Sequence, residues 1–334
     1  MTRLLPEVPD LAAYQKIYRD AGAWLPALHE ICRREGLDAG ALEMAPPGSH
    51  VVFWAGSGRL IKLFCRLWPD DALAERLSLA TLTACPDIPV PRMIAGGELE
   101  GWPYLVLEPA SGTPLCEVWA EAPLDDRLGI CRRLGEVLAA LHAVPTDSLE
   151  PLASDWAAFL TRRRAAQRAE QLERGADAAW LPEIDAFLDA APPPFEPGFR
   201  PVLLNADVTD EHVLLGRSDG HWRMSGLIDF GDAMVGDPLY EFVATTIITG
   251  NDERLRRALF RGYGFTDEAL DDALTQRLTV YAFLHQFTNL KWYLELAGDP
   301  APRTIAELQR ALWSFSQPNA GKAGMKWAMT ETNL

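Results

Sequence analysis

Lysine is scarce in this chain. Five lysines stand against twenty-six arginines in 334 residues, and 47 acidic residues bring the formal net charge to −16. Charge of that sign argues against a nucleic-acid or anionic-membrane partner and suits a cationic small molecule. Cysteine is sparse too. Cys32, Cys65, Cys85, Cys116 and Cys131 are odd in number, scattered and without a C-x-x-C pair. That excludes a disulfide framework or structural zinc site as the default and points to a reducing cytoplasm. No apolar run approaches the roughly 20 residues of a membrane span, and FVATTIITG, after Glu241, falls far short. The opening MTRLLPEVPDLAAY meets acids and prolines before any apolar core, unlike a signal peptide. There is no internal repeat and no G-x-x-x-x-G-K-[ST], so the chain carries no P-loop.

What is present is an ordinary globular composition, 48% hydrophobic and 23% charged. At this length single cores stop growing, so two lobes are expected. Leu11, Tyr14, Tyr18, Leu25, Leu28 and Cys32 keep helical spacing up to Gly36. HVVFWAGSGRLIKLF then holds two β-rich runs around a Gly-Ser-Gly turn, PDDALAERLSLATLTA reads as a helix, and PVPRMIAGGELEGWPYLVLE gives two more strands. Past Gly112 the pattern is mostly helical; Leu124, Leu128, Cys131, Leu134, Leu138 and Leu141 form one apolar stripe. DWAAFLTRRRAAQRAEQLERG reads as a charged surface helix and APPPFEPG as a connector. The resulting expectation is an α+β chain with three parts. Residues 1–108 form a helix and a β-rich lobe, 109–316 a larger helical lobe, and 317–334 a loosely ordered tail.

Three stretches carry chemistry. Lys62 sits in LIKLF with apolar neighbours on both sides, either as a compact charge for phosphate oxygens or as a snorkelling edge-strand lysine. Upstream, Gly48 and Ser49 precede the first strand, in a turn whose backbone N–H groups can cradle phosphate. LLNADVTDEHVLL packs Asn205, Asp207, Thr209, Asp210, Glu211 and His212 between two apolar runs, as a solvated turn or a site. A strand then ends directly on acids in LIDFGD, which places Asp229 after a hairpin. An acid, a polar ligand five residues on and a third after the hairpin are what phosphoryl transfer asks for: a base for the hydroxyl and two ligands for a charge-neutralising metal.

In these motifs the chain resembles the aminoglycoside phosphotransferase family, relatives of protein kinases that phosphorylate small molecules. That family's H-G-D-x-x-x-x-N, I-D-[FW] and G-D-P appear here as NADVTDEH, LIDFGD and GDPLYEF, and its lysine strand as LIKLF. The PVPR run and G-E-L before W-P-Y-L-V look most like the hygromycin B O-kinases. The resemblance spans residues 45–300 and implies a two-lobed protein-kinase-like fold. It implies transfer of the γ-phosphate of ATP, or GTP, to a hydroxyl of an aminocyclitol such as hygromycin B, by a monomer or homodimer. Kinases of another hydroxylated metabolite, and a degenerate kinase that binds without turnover, stay open beside it. By position Lys62 is the phosphate lysine, Asp207 the catalytic base, Asp229 a magnesium ligand and Ser49 part of the phosphate turn. Glu108 and Ala110 flank a hinge against adenine. Glu75 is the candidate partner of Lys62, with Ser78 one turn later as the other. Asn205 replaces the family's His, and His212 its metal-binding Asn; imidazole suits Mn²⁺ better than Mg²⁺. Asp232, Glu241 and Glu295 are candidates to meet substrate ammonium groups.

Overall fold

The computed structural model describes residues 3–315 except Pro47, Ser57 and Pro197; the expected tail lies outside the described residues. The chain divides into two compact units. One holds the described residues up to Ser111 together with Gly226–Ala233, and the other holds Gly112–Ser225 and the described residues from Met234 onward.

The first unit is built on a five-stranded sheet of β1 (Leu42–Met44), β2 (Val51–Ala55), β3 (Arg59–Leu63), β4 (Arg92–Leu99) and β5 (Trp102–Glu108), in the order β1-β2-β3-β5-β4. Its pairings are antiparallel, and the register sets Val52 opposite Lys62 and Lys62 opposite Leu105. Strand periodicity divides the two faces. Val51, Phe53, Ala55, Ile61, Leu63, Trp102, Tyr104 and Val106 share one core with α1 (Leu11–Ile17) and α2 (Ala21–Glu35). Lys62, out of phase with them by one residue, belongs to the other face, which α3 (Pro69–Leu82) serves.

The first 35 residues form two helices where the spacing suggested one. Asp20 accepts from the Gly22 N–H as an N-cap and so starts a new helix, and Gly36, at φ 66°, ends it. A short strand, β1, also precedes the expected pair; at three residues it is too brief to show a period.

The second unit holds α4 (Leu115–Val118), α5 (Leu124–His142), α6 (Trp156–Glu173), α7 (Leu181–Ala190), α8 (Pro238–Ala244), α9 (Thr246–Thr249), α10 (Glu253–Tyr263), α11 (Asp272–Leu284), α12 (Leu290–Ala297) and α13 (Ile305–Leu312). Its strands are β6 (Thr113–Pro114), β7 (Val202–Leu204), β8 (Val213–Ser218), β9 (His221–Leu227, whose last two residues belong to the first unit) and β10 (Met234–Gly236). The two apolar runs of LLNADVTDEHVLL are strands, but of different sheets: β7 pairs with β10, and β8 lies between β6 and β9. Residues 205–212 therefore cross from one sheet to another, a passage no tight hairpin could make. Helix α6, expected at the surface, buries Gln167 and Gln171, and the Gln171 amide donates to Thr288 Oγ1 at 2.7 Å. No helix among the described residues is long and apolar enough to cross a membrane.

His285, after α11, lies stacked on Tyr240 at 4.4 Å, and its Nε2 finds no hydrogen-bond partner among the described residues. Burial, with Arg163 and Arg174 nearby, pushes its pKa down to about 3. A base whose folded value lies below its ordinary 6.5 favours the native state above pH 6.5, and that contribution is lost as pH falls from 6.5 toward 3. His285→Asn, which cannot titrate, should therefore show a smaller loss of melting temperature than the parent between pH 7 and pH 4. Parallel profiles for parent and variant would remove His285 from the account of acid sensitivity.

Candidate active site

Lys62 is nearly buried, and its ammonium makes two ion pairs, to Glu75 Oε2 at 2.6 Å and to Asp229 Oδ1 at 2.9 Å. Burial alone would lower its pKa, but the carboxylates of Asp229 and Glu75 outweigh that effect and hold it well above the ordinary lysine range. The ammonium also stands 5.1 Å from the Phe64 ring centroid. Between the two candidate helix positions the geometry chooses Glu75; Ser78, one turn on, is buried and its Oγ has no partner among the described residues.

Asp229 reaches Lys62 from a turn fixed on both sides. Leu227 N–H donates to Pro89 O at 2.8 Å before it, and the Phe230 ring is fully buried after it. Asp229 itself has φ 59°, a left-handed conformation that Asp tolerates better than most residues. Gly231 N–H donates to its Oδ1 at 3.2 Å. Further along the same unit, His50 has a partner on each ring nitrogen. Its Nδ1 accepts from Cys65 N–H at 3.2 Å, so its hydrogen sits on Nε2, which donates to Asp71 Oδ2 at 3.0 Å.

The remaining nucleotide candidates are spread along this unit. Ser49 is exposed, and its carbonyl accepts from the Tyr14 hydroxyl at 3.0 Å. Gly48, expected to offer its N–H to phosphate, gives it to the Tyr18 hydroxyl instead, at 2.7 Å. Glu108 ends β5 and pairs with Arg92 and, at 3.4 Å, with Arg59; the Arg92 hydrogen bonds hold its carboxyl below the usual range. Ala110, half-buried, follows just before the chain leaves this unit at Ser111. Asp232 is half-buried three residues after Asp229.

In the second unit, residues 205–212 are held by a buried acid. Glu241 on α8 is 0% exposed; its Oε2 accepts from Asn205 N–H and its Oε1 from Ala206 N–H, each at 2.8 Å. His142 Nε2 stands 3.5 Å from the same carboxylate, and His142 Nδ1 lies 2.9 Å from the Tyr263 hydroxyl. This corrects the expectation for Glu241. A carboxylate closed off from solvent, with both oxygens on backbone amides, cannot receive a substrate ammonium; it fixes the loop. Ala206 shows what is being fixed. Its φ of 67° costs an L-residue about 1–2 kcal/mol, and the paired amides of Asn205 and Ala206 hold it there. Glu295 is exposed on α12.

Asp207 comes next in the loop, with its N–H donated to Asn205 Oδ1 at 3.1 Å and its carboxylate partly exposed. His212 Nδ1 stands 2.7 Å from the Asp207 carbonyl, which only accepts, so Nδ1 carries the hydrogen. In the neutral ring Nε2 is then the lone-pair atom. A histidine whose other nitrogen donates to a carbonyl is oriented as metal-binding histidines usually are. Among the described residues no three His, Cys, Asp or Glu side chains cluster around a metal position. A nucleotide-borne Mg²⁺ asks for only one or two protein ligands, with phosphate oxygens and water completing the set. Asp229, a hard oxygen donor, suits such an ion, and the His212 imidazole tilts its own position toward Mn²⁺.

Sequence reasoning missed the Glu241 brace, the His50–Asp71 pair and the strained Ala206. The one available signal was Ala206 standing where the family pattern has Gly, the residue that adopts φ > 0 without cost.

A buried lysine held by a helix glutamate and a loop aspartate, together with a separately braced acidic loop, is the equipment of a kinase-like phosphotransferase. The family described as "APH: Phosphotransferase enzyme family" matches residues 43–274, and the chain belongs to it. The viomycin phosphotransferase of Streptomyces vinaceus is 27% identical over 237 residues, 68% of this chain and 78% of that protein. The aminoglycoside 3'-phosphotransferase of Streptomyces fradiae is 30% identical over 154 residues, 45% of this chain and 54% of that one. Among solved structures, the GDP complex of wild-type aminoglycoside 2'-phosphotransferase-IIIa aligns with TM-score 0.66 at 18% identity, covering 78% of this chain and 88% of that chain. The fold is thus that of kinase-like phosphotransferases, β-rich in its first part and mostly helical after it.

Glu241→Gln places an NH₂ group where a backbone N–H needs an acceptor. We expect it to lower unfolding free energy by about 1.5–3 kcal/mol, the range for hydrogen bonds to a charged group, measured by urea denaturation. Unchanged stability would mean that the loop does not depend on this carboxylate.

Proposed function

We propose that this enzyme transfers the γ-phosphate of ATP, or of GTP, to a hydroxyl of a small cationic acceptor of the aminoglycoside or aminocyclitol kind, hygromycin B being the first candidate. The observation that carries the reading is the Lys62–Glu75–Asp229 triad, in which an ammonium and a metal-competent carboxylate are held together. Lys62 binds phosphate oxygens as a point charge, and Glu75 keeps it aimed. Asp229 and His212 stand at the metal-ligand positions of the family's pattern, and a divalent ion held there would neutralise the β- and γ-phosphate charge. Asp207 accepts the hydrogen bond of the acceptor hydroxyl and takes its proton as the oxygen bonds to the γ-phosphorus and the bond to the β-phosphate oxygen breaks. The net charge of −16 favours encounter with a cationic acceptor. The names of the relatives, phosphotransferases of viomycin and of aminoglycosides, support the acceptor class. An ATP-dependent reaction and five free cysteines support a cytoplasmic setting for the proposed reaction.

A second reading, nucleotide binding without transfer, draws on His212, which puts a nitrogen where the family has an oxygen. The two are separated by incubating the enzyme with ATP, Mg²⁺ or Mn²⁺ and a panel of aminoglycosides and aminocyclitols together with viomycin, with mass detection of products. A mass gain of one phosphate on a panel member is the expected result; nucleotide binding with no product across the panel would favour the second reading. With an acceptor in hand, Asp207→Asn should lower turnover about 10²–10⁴-fold, with nucleotide affinity little changed. Loss of nucleotide affinity instead would make Asp207 a ligand or a structural residue.

A further inference from the structure

The segment that precedes the family match reaches the phosphate turn. Residues 3–36 lie before residue 43, where that match begins, yet they contribute nine of the nineteen buried residues of the core that covers one face of the sheet. Tyr14 on α1 and Tyr18 at its C-cap are one helical turn apart, and both are buried. The Tyr14 hydroxyl donates to Ser49 O at 3.0 Å. The Tyr18 hydroxyl donates to His50 O at 3.0 Å and accepts from Gly48 N–H at 2.7 Å. Two phenols thus hold backbone groups of three consecutive residues, 48 to 50, between β1 and β2.

The phenols are themselves fixed. Tyr14 packs against Trp24, Trp68 and Trp102, with ring centroids 5.8–6.4 Å away, and Trp24 Nε1 donates to Tyr18 O at 3.1 Å. Burial raises the pKa of both hydroxyls, so each remains a donor at working pH. Beyond the turn, His50 is tied to Asp71, on the helix that also carries Glu75. The path therefore runs by direct contacts from α1 through residues 48–50 to the helix that aims Lys62.

We propose that Tyr14 and Tyr18 are positioning residues for nucleotide binding: the appended helices clamp residues 48–50 in the conformation in which Ser49 meets the nucleotide phosphates. The proposal rests on the phosphotransferase reading above. A glycine-containing turn left to itself must be ordered on each binding event, at a cost in backbone entropy. A clamp ordered in the free protein has already met that cost, which lowers the nucleotide KM without touching the chemical step. The clamp also explains why Gly48 spends its N–H inside the protein.

The test compares the full-length parent with Tyr18→Phe, Tyr14→Phe and a control, Tyr104→Phe. The Tyr104 hydroxyl ties β5 to Glu35 of α2 at 2.5 Å, away from the turn. Two readouts are taken: amide hydrogen exchange at residues 48–50 without ligand, and nucleotide affinity together with KM and kcat. Faster exchange at Gly48 in Tyr18→Phe, with a rise of about tenfold in nucleotide Kd and KM at nearly constant kcat, is the expected result; about tenfold corresponds to ordering one residue. Tyr14→Phe should show a smaller effect of the same kind, and Tyr104→Phe neither, even if its melting temperature falls equally. Unchanged exchange in both turn variants overturns the clamp, whatever the enzyme's activity. Faster exchange with unchanged nucleotide affinity overturns the nucleotide role while leaving the phosphotransferase reading intact. A parent that binds no nucleotide sinks that reading and this role together, and the exchange data alone then decide whether the phenols hold the turn.

Discussion

The buried ammonium of Lys62 is the constraint on which the first unit depends. A lysine so enclosed is tolerated only when its charge is answered at close range, and here it is answered twice, by Glu75 and Asp229. Glu75 comes from the helix that follows β3 and Asp229 lies 167 residues beyond Lys62 along the chain, so the sheet, α3 and the 228–231 turn must all be in place before the charge is satisfied. Replacing such a cluster by apolar residues is often neutral or stabilising, so its presence is poor evidence for stability and better evidence for a chemical task. The two faces of the sheet follow from it. One face is filled by the aromatic core of α1 and α2, which leaves the other for the charge.

The second unit obeys a similar rule with the opposite sign. There a buried carboxylate, Glu241, is answered by two backbone amides, and the reward is a loop held in a conformation that Ala206 would not adopt alone. Strain of this kind persists only where the surroundings over-determine it, and it gathers at functional sites. Asp207 is the next residue, and the hydrogen bonds from Asp207 N–H to Asn205 Oδ1 and from His212 Nδ1–H to the Asp207 carbonyl carry the bracing forward to it.

Much of this was legible in the sequence. Lys62 stood out because an arginine-rich chain placed one of its few lysines among apolar neighbours, and LIDFGD because a strand ending on acids is unusual. The choice between Glu75 and Ser78 was not legible, since both lie on one helical face and only tertiary position separates them. Glu241 was misread because sequence reports a charge but not its burial; on a short helix rich in apolar residues the carboxylate looked outward and in fact faces backbone. The tyrosines of α1 registered only as helical core. Their rings do pack there, and nothing in a 3.6-residue period tells where a phenol oxygen will end. The same limit hid the different sheets of β7 and β8, because strand propensity does not name a partner.

The central claim is that Lys62 is held for a nucleotide rather than for the fold. Calorimetric titration of ATP with Mg²⁺ into the parent and into Lys62→Met, each first shown to unfold cooperatively, tests it most directly. The account predicts that Lys62→Met remains folded and binds ATP at least about tenfold more weakly, as expected for the loss of roughly 1.4 kcal/mol or more of phosphate contact. A folded Lys62→Met protein that binds ATP as tightly as the parent would contradict it.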